Sequence, residues 1–348
     1  MSKTALITGV NGQDGGHLAK LLHDKGYKVY GIIRGQAESS HPKYRNFKEE
    51  YPFVEIIMAD LTDLSSLVRA MQEAKPDEVY NLGAISHVGY SFKDPILTHQ
   101  VTGGGVLNVL EAIRLTGGEK TVRFYQASTS EMYGGLDYNR PETGYTEDST
   151  FHPRSPYGVA KLYGYWITQN YRESYGMYAV SGVLFNHEGE RRGPEFVTRK
   201  ISQAVARIKL GKQTHVELGN LDSKRDWGYA GDYVEGMWRL LQQETGKPKD
   251  YVLATGETHS IREFCELAFK EIGVDINWQG SGEKEEGVDS KTGTMLIKIN
   301  PEFFRPAEVD LLLGDPTRAE KELGWERKVD FPGLVKLMVE HDLQKENN

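Results

Sequence analysis

The sequence predicts an α/β fold, a Rossmann-like doubly wound parallel sheet followed by a smaller C-terminal α/β domain, on three observations. Short apolar runs alternate with segments of helical period over the first half; the first run ends in a glycine-rich turn that opens a helix; and past residue 186 the alternation loosens into stretches rich in Arg, Gly and Pro. Strand and helix in alternation is the pattern of a parallel sheet, since each parallel neighbour must be reached by a crossover. Strands are expected at residues 4–10, 28–33, 55–59, 78–82, 123–126 and 179–184, and later helices near 198–209, 229–242, 261–272 and 331–342. A strand near residues 251–255 is placed to return to the first sheet. The first domain is therefore drawn as residues 1–186 with returns from about 215–260, and the second mainly as 187–348.

Composition narrows the class. A chain of 348 residues with 38% hydrophobic residues, 12 Phe and 5 Trp can build a sizeable core, and 26% charged residues argue for a protein that stays in water. Residues 4–8 already read as a strand, which leaves no room for a signal peptide, and no apolar run spans a bilayer, so a cytoplasmic protein without membrane contact is expected. The single cysteine, Cys265, can form neither an internal disulfide nor a cysteine-rich metal site and reads as a buried small hydrophobe in a helix; no metal site is expected. A net charge of −8 speaks against generic nucleic-acid binding, while a local basic cluster can still hold a phosphate.

Gly9-x-x-Gly12-x-x-Gly15 follows the first strand and opens the helix of residues 18–22. Glycines there permit a tight turn and bring a pyrophosphate to a helix N-terminus, whose free N–H groups and dipole bind anions. With 38 glycines in the chain, chance supplies roughly 0.4 such spacings, so the motif rests on its position between two strands and a helix. The second strand ends Gly31-Ile32-Ile33-Arg34-Gly35, without the acid that holds an NAD ribose; this favours NADP, with Arg34 on the 2′-phosphate, over a merely solvated Arg34. Asp60-Leu61, ending the third strand, either meets the adenine or caps the next helix through Asp60. Leu82-Gly83-Ala84-Ile85-Ser86 ends the fourth strand at the edge where cofactors bind, and Gly83 allows close backbone approach.

Ser155-Pro156-Tyr157-Gly158-Val159-Ala160-Lys161 starts with an N-cap and a proline at the first helical position, which puts Tyr157 and Lys161 one turn apart on one face. An ammonium beside a phenol favours the phenolate, so Tyr157 is expected to act as a base well below its ordinary pKa, with Lys161 also holding the nicotinamide ribose. Tyr44 and Lys48 share the spacing but follow no cofactor strand and read as surface. Ala127-Ser128-Thr129-Ser130-Glu131 follows the fifth strand. A Ser/Thr run there is often turn chemistry, but a carboxylate beside a Tyr/Lys pair is what a reaction needs when it must also move a carbon-bound proton.

At this point the chain resembles the GDP-mannose 4,6-dehydratase family, a branch of the extended short-chain dehydrogenases, along nearly its whole length. The blocks are Thr8-Gly9-x-x-Gly12-Gln13-Asp14-Gly15, Tyr125-Gln126-Ala127-Ser128-Thr129-Ser130-Glu131, Ser155-Pro156-Tyr157, Asn170-Tyr171-Arg172-Glu173-Ser174-Tyr175-Gly176-Met177-Tyr178, Leu184-Phe185-Asn186-His187-Glu188, Phe196-Val197-Thr198-Arg199-Lys200, Arg225-Asp226-Trp227-Gly228 and Phe304-Arg305-Pro306-Ala307-Glu308. The resemblance implies a redox-neutral cycle. Tyr157 takes the proton of the sugar 4-hydroxyl while hydride passes from C4 to NADP; Glu131, assisted by Thr129 and Ser130, removes the C5 proton and protonates the departing 6-hydroxyl; the hydride returns to C6. A GDP-sugar, GDP-mannose first and a GDP-manno-heptose next, is the implied substrate, and a GDP-4-keto-6-deoxy sugar the product.

The resemblance also implies which residues bind. For the cofactor these are Gly9, Asn11, Gly12, Gln13, Asp14, Gly15 and Arg34, then Asp60, Leu61, Leu82, Gly83, Ala84 and Ser86, with Tyr157, Lys161, His187 and Arg192. For the GDP-sugar they are Ser86, Glu131, Asn186, Arg192, Val197, Lys200, Arg225, Arg305 and Glu308; cations suit a diphosphate, and a carboxylate such as Glu308 accepts guanine N–H groups. A homodimer or homotetramer is implied as well. The chain departs from the family over residues 35–53, where a second Arg and a serine-rich stretch serve a neighbouring subunit; at Leu97, where the family has Tyr; and in a longer loop at residues 134–152 that bears on which hexose is taken. An epimerase or reductase would need the Tyr/Lys pair but not Glu131, and a non-catalytic NADP sensor would need neither.

Overall fold

The computed structural model describes residues 2–35, 42–135, 142–244, 246–303 and 311–347. Its first half runs β1 (Thr4–Thr8), α1 (Gln13–Asp24), β2 (Lys28–Ile33), α2 (Pro42–Glu50), β3 (Glu55–Met58), α3 (Leu64–Ala74), β4 (Glu78–Asn81), α4 (Val88–Lys93), α5 (Pro95–Thr98), α6 (Gly105–Leu115), β5 (Arg123–Thr129), α7 (Pro156–Tyr175) and β6 (Tyr178–Leu184). Then follow β7 (Asn186–Glu188), α8 (Val197–Lys209), β8 (Val216–Leu218), β9 (Lys224–Arg225), β10 (Trp227–Tyr229), α9 (Ala230–Leu240), β11 (Tyr251–Leu253), β12 (His259–Ser260), α10 (Ile261–Lys270), β13 (Ile276–Gln279), β14 (Glu286–Asp289), β15 (Met295–Ile299), β16 (Leu311–Leu312), α11 (Thr317–Leu323) and α12 (Phe331–Asn347).

Seven parallel strands form the main sheet in the order β11-β6-β5-β4-β1-β2-β3. The strands are mostly apolar because helices cover both faces. One face packs against α1 and α9, with Leu18, Leu22, Tyr233 and Met237 fully buried; the other packs against α3 and α6, through Leu67, Val109 and Ile113. Chain order reverses between β1 and β4, and ligands of such sheets sit at the carboxyl ends beside that reversal. The expected return of the 251–255 segment is observed: Tyr251, Val252 and Leu253 pair with Gly182, Val183 and Leu184. Cys265 is fully buried in α10. Tyr44 and Lys48 lie on α2, and Lys48 donates to the carbonyls of Pro52 and Val54. No helix among the described residues is long and apolar enough to cross a membrane.

The later strands form small sheets that hang from the main one. β7 pairs with β10, and β9 lies between β12 and β16. A third core, with Ile201, Trp227, Phe264, Ile297 and Met338, unites α8, α10 and α12. Asp226 fastens these pieces to the main sheet. Its fully buried carboxylate accepts from Thr255 N at 2.8 Å, Thr255 Oγ1 at 2.7 Å, Gly256 N at 3.2 Å and Gly314 N at 3.2 Å. An amide in its place would turn an NH2 toward donors, so Asp226→Asn is expected to cost about 2 kcal/mol or more in denaturant unfolding. A loss within about 0.5 kcal/mol would contradict the clamp.

Candidate active site

The chain leaves β1 through Gly9, at φ +67°, a region that residues with side chains rarely adopt, and enters α1 past Gly12. A Cβ on Gly15 would stand 2.4 Å from the Val10 carbonyl oxygen and one on Gly9 2.8 Å from Gly83 Cα, so these positions tolerate only glycine. Among the described residues no side chain caps α1 at Gly12, which leaves N–H groups of the first turn for an anion. Asn11 is partly exposed, and Gly83 packs on Leu61, whose carbonyl accepts from Asn108. Asp60 binds Thr62 N at 2.8 Å and Thr62 Oγ1 at 2.7 Å; α3 is capped by Asp63 instead, so the capping alternative for Asp60 is corrected. Arg34 follows β2 in an exposed position, and Ser86 is exposed after the loop of Leu82 and Ala84.

Asp14, in the first turn of α1, meets His187 of β7: His187 Nε2 lies 2.9 Å from Asp14 Oδ2. Burial works against the carboxylate, but His187, Gln13 and Arg192 outweigh it and hold the pKa of Asp14 well below the usual carboxylate range. Burial likewise opposes the His187 cation, and Asp14 prevails in raising its pKa. Gln13 ties the same turn to β7 by donating to His187 O at 3.0 Å. Gln13 Oε1 and Ser128 Oγ are buried with no hydrogen-bond partner among the described residues. Glycines that admit no Cβ, an uncapped helix end and unpartnered polar atoms together fit a dinucleotide along this edge.

β5 carries the chemistry further than the sequence suggests. The strand does not end at residue 126 but runs through Thr129, with Ser128 and Thr129 paired to Val183 and Leu184, so the hydroxyls sit on the last residues of a buried strand. Thr129 then caps a single turn of 3₁₀-helix, accepting from Glu131 N at 3.3 Å. Opposite, α7 begins at Ser155, which accepts from Gly158 N at 3.0 Å, with Pro156 at its first position. The two pieces touch: a Cβ on Gly158 would lie 3.0 Å from Glu131 O. Beneath them Tyr133, Tyr145, Phe151 and Phe185 form an aromatic stack, Tyr133 and Tyr145 being 4.5 Å apart.

Tyr157 and Lys161 are both buried, and both titrate accordingly. Burial pushes the Tyr157 phenol up to about 12, with the Thr129 hydroxyl pulling it down and the Glu131 carboxylate pushing it up. Burial brings Lys161 down to about 8 against the charge of Asp14. The expectation of a phenol held below its ordinary value is therefore corrected. Lys161 Nζ lies 5.8 Å from the Tyr157 ring centre and gives its hydrogen bond to Ala127 O at 2.7 Å, and burial, the largest cause acting on the phenol, sets the direction.

A buried relay that sequence reasoning missed reaches that same carbonyl. Gly83 N donates to Thr8 Oγ1 (3.0 Å), Thr8 Oγ1 to Asn81 (2.7 Å), Asn81 to Gln126 (2.7 Å), and Gln126 to Ala127 O (2.8 Å). It links the ends of β1, β4 and β5 to the lysine. Its trace in the sequence is one polar side chain in each of three strands: Thr8 in β1, Asn81 in β4 and Gln126 in β5.

On the other side of the edge, Asn186 begins β7, and Arg192 and Val197 flank Phe196 at the start of α8. The Arg192 guanidinium stands 3.5 Å over the Phe196 ring. Lys200, one turn on, lies 3.6 Å over the Phe303 ring, its pKa lowered by burial against the pull of Glu217. Arg225 sits on β9 beside Leu312 of β16. Ser130 is buried and Glu131 partly exposed between the two sides. Arg305 and Glu308 lie outside the described residues.

A Rossmann sheet whose carboxyl edge gathers a helix-borne Tyr/Lys pair defines an enzyme of the extended short-chain dehydrogenase/reductase class. Residues 6–338 match the family model described as GDP-mannose 4,6 dehydratase. The chain is 51% identical to the GDP-mannose 4,6 dehydratase of Drosophila melanogaster, covering 98% of this chain and 86% of that protein, and 51% identical to that of Dictyostelium discoideum, covering 98% and 96%. The solved structure of RMD from Pseudomonas aeruginosa complexed with NADPH superposes with a TM-score of 0.76 at 22% identity, over 99% of this chain and all of that one. The chain belongs to the GDP-mannose 4,6-dehydratase family.

Proposed function

We propose that this protein catalyses the 4,6-dehydration of GDP-mannose to a GDP-4-keto-6-deoxy sugar, with NADP as a cofactor that is regenerated in each turnover. The observation that carries the reading is the meeting of the Thr129–Glu131 turn with the start of α7 that bears Tyr157: a Cβ on Gly158 would lie 3.0 Å from Glu131 O, and Thr129 and Glu131 both act on the Tyr157 phenol. NADP supplies the acceptor, and later the donor, of one hydride. Tyr157 takes the proton of the sugar 4-hydroxyl as C4 is oxidised. The 4-ketone acidifies C5, and Glu131 removes that proton; with Thr129 and Ser130 it then protonates the 6-hydroxyl, which leaves as water. Lys161, anchored on Ala127 O, would hold the nicotinamide ribose and keep a cation near the phenol.

Residues 1–186, with returns from about 215–260, hold the dinucleotide through Gly9, Asn11, Gly12, Gln13, Asp14, Gly15, Asp60, Leu61 and Gly83, joined by His187 at the start of the second domain. Residues 187–348 hold most of the GDP-sugar, through Arg192, Val197, Lys200, Arg225, Arg305 and Glu308, together with Asn186 and Ser86. The protein acts in the cytosol as a homo-oligomer. The exposed Tyr90, Phe92 and Ile96 of α4 and α5 and Val159 and Trp166 of α7 are the face on which two copies meet; a sedimentation mass of one chain would contradict this.

Incubation with GDP-mannose and, separately, a GDP-manno-heptose, followed by mass spectrometry, tests the reaction. Loss of one water from GDP-mannose is expected. An unchanged mass with altered chromatography would indicate an epimerase, and no change a sensor. The cofactor choice rests on Arg34 and on the lack of an acid after β2. Arg34→Ala is expected to weaken NADP about tenfold or more while NAD changes less than about twofold. Equal losses in fluorescence titrations would remove the argument for NADP.

A further inference from the structure

β7 sends alternate side chains to opposite sides. His187 turns to α1 and the dinucleotide edge, whereas Glu188, next in sequence, turns to α8 and is 2% exposed. Its Oε2 receives the Thr198 hydroxyl at 2.6 Å and lies 2.9 Å from Arg192 Nε, an ion pair in which the N–H is not aimed at the oxygen. Thr198 is the second residue of α8, and Lys200 lies in the same first turn. Among the described residues no side chain caps the helix at Phe196, the ring that carries Arg192.

From this geometry we infer that Glu188 is a positioning residue for the diphosphate of the sugar nucleotide: one buried carboxylate oxygen fixes the Arg192 side chain and the first turn of α8 in register with each other. The inference rests on the GDP-sugar reading above. A carboxylate beside cations meant for a diphosphate opposes binding by its charge alone. Its benefit is geometric. Arg192 would otherwise be a flexible side chain that must be immobilised when the ligand arrives, at about 0.5–1.5 kcal/mol for a long side chain. Tying it to Glu188 and Phe196 meets that cost in folding. The Thr198 bond sets the position of the uncapped helix end and of Lys200 relative to the guanidinium.

Titration calorimetry with GDP tests the assignment. Glu188→Asp keeps the charge but withdraws the oxygen by one methylene, so it cannot reach Thr198 and Arg192 together. It is expected to raise the GDP dissociation constant about tenfold, and the KM for GDP-mannose with it, leaving kcat within about twofold. Thr198→Val is expected to weaken GDP about threefold, and Thr198→Ser, which restores the hydroxyl, to bind as the wild type. An unchanged GDP constant in Glu188→Asp overturns the assignment. So does weakened binding that follows the loss of folded protein in thermal unfolding and that Thr198→Ser does not restore. Failure of the wild type to dehydrate GDP-mannose would count against the dehydratase reading instead, since the GDP titrations do not depend on turnover.

Discussion

Glu131→Gln is expected to leave a protein that still oxidises C4 of GDP-mannose and reduces its bound cofactor but releases no 6-deoxy product, with turnover lowered about 10³-fold. Gln keeps the size and polarity of the side chain, and residue 131 is partly exposed, so the fold should not change. What is lost is the base for the C5 proton and the acid for the 6-hydroxyl. Loss of both functions from one residue separates the two halves of the reaction. Single-turnover mixing, read by reduced-nicotinamide absorbance and by product mass, should show reduced cofactor accumulating without loss of water. Normal release of the 6-deoxy product would remove Glu131 from its role.

Tyr157→Phe is expected to fail earlier, with C4 oxidation down about 10³-fold or more and no reduced cofactor formed, because the phenol is the group that takes the hydroxyl proton. The wild-type pH dependence carries further information. With Lys161 brought down to about 8 and Tyr157 pushed up to about 12, the pair sheds one proton near pH 8. Of the pairs that have lost it, on the order of 10⁻⁴ hold the remaining charges as ammonium and phenolate, the form that can act as a base. That form grows about tenfold per pH unit below pH 8 and then stays constant, since further loss of protons from Lys161 and gain of phenolate cancel. The single-turnover rate of C4 oxidation should therefore climb with pH and level off near 8. In Lys161→Met the levelling should disappear and the rate should keep climbing toward the phenol value. A wild-type rate that is flat below pH 8 would mean that this pair does not set the reaction.

The alternation of strand and helix, the glycine turn and the Tyr/Lys face are legible in the residues, because each depends on local pattern: apolar period, Gly9 where φ is positive, Ser155 and Pro156 at a helix start. The sequence ends β5 at residue 126 because Ser128 and Thr129 favour turns in isolation. They stay in the strand because β6 pairs with them and both are buried, which is tertiary context overriding local preference. The direction of the Tyr157 shift was misread for a related reason. Sequence spacing gives the cation but not the burial, and burial is the largest cause acting on the phenol. Asn81 and Gln126 were invisible as a relay because they are 45 residues apart and meet only when β4 lies beside β5. The Arg192–Glu188 pair, four residues apart but not on one helix, likewise needed β7 and α8 to be placed.

The central claim is that one hydride leaves C4 and returns to C6 of the same sugar without escaping the protein. GDP-mannose carrying deuterium at C4, incubated in ordinary water with unlabelled NADP, measures it directly by mass spectrometry and NMR of the product. Deuterium is predicted at C6 of the 4-keto-6-deoxy sugar, with none in the solvent or in free NADPH. Product without the label, or label recovered in released cofactor, would contradict the account.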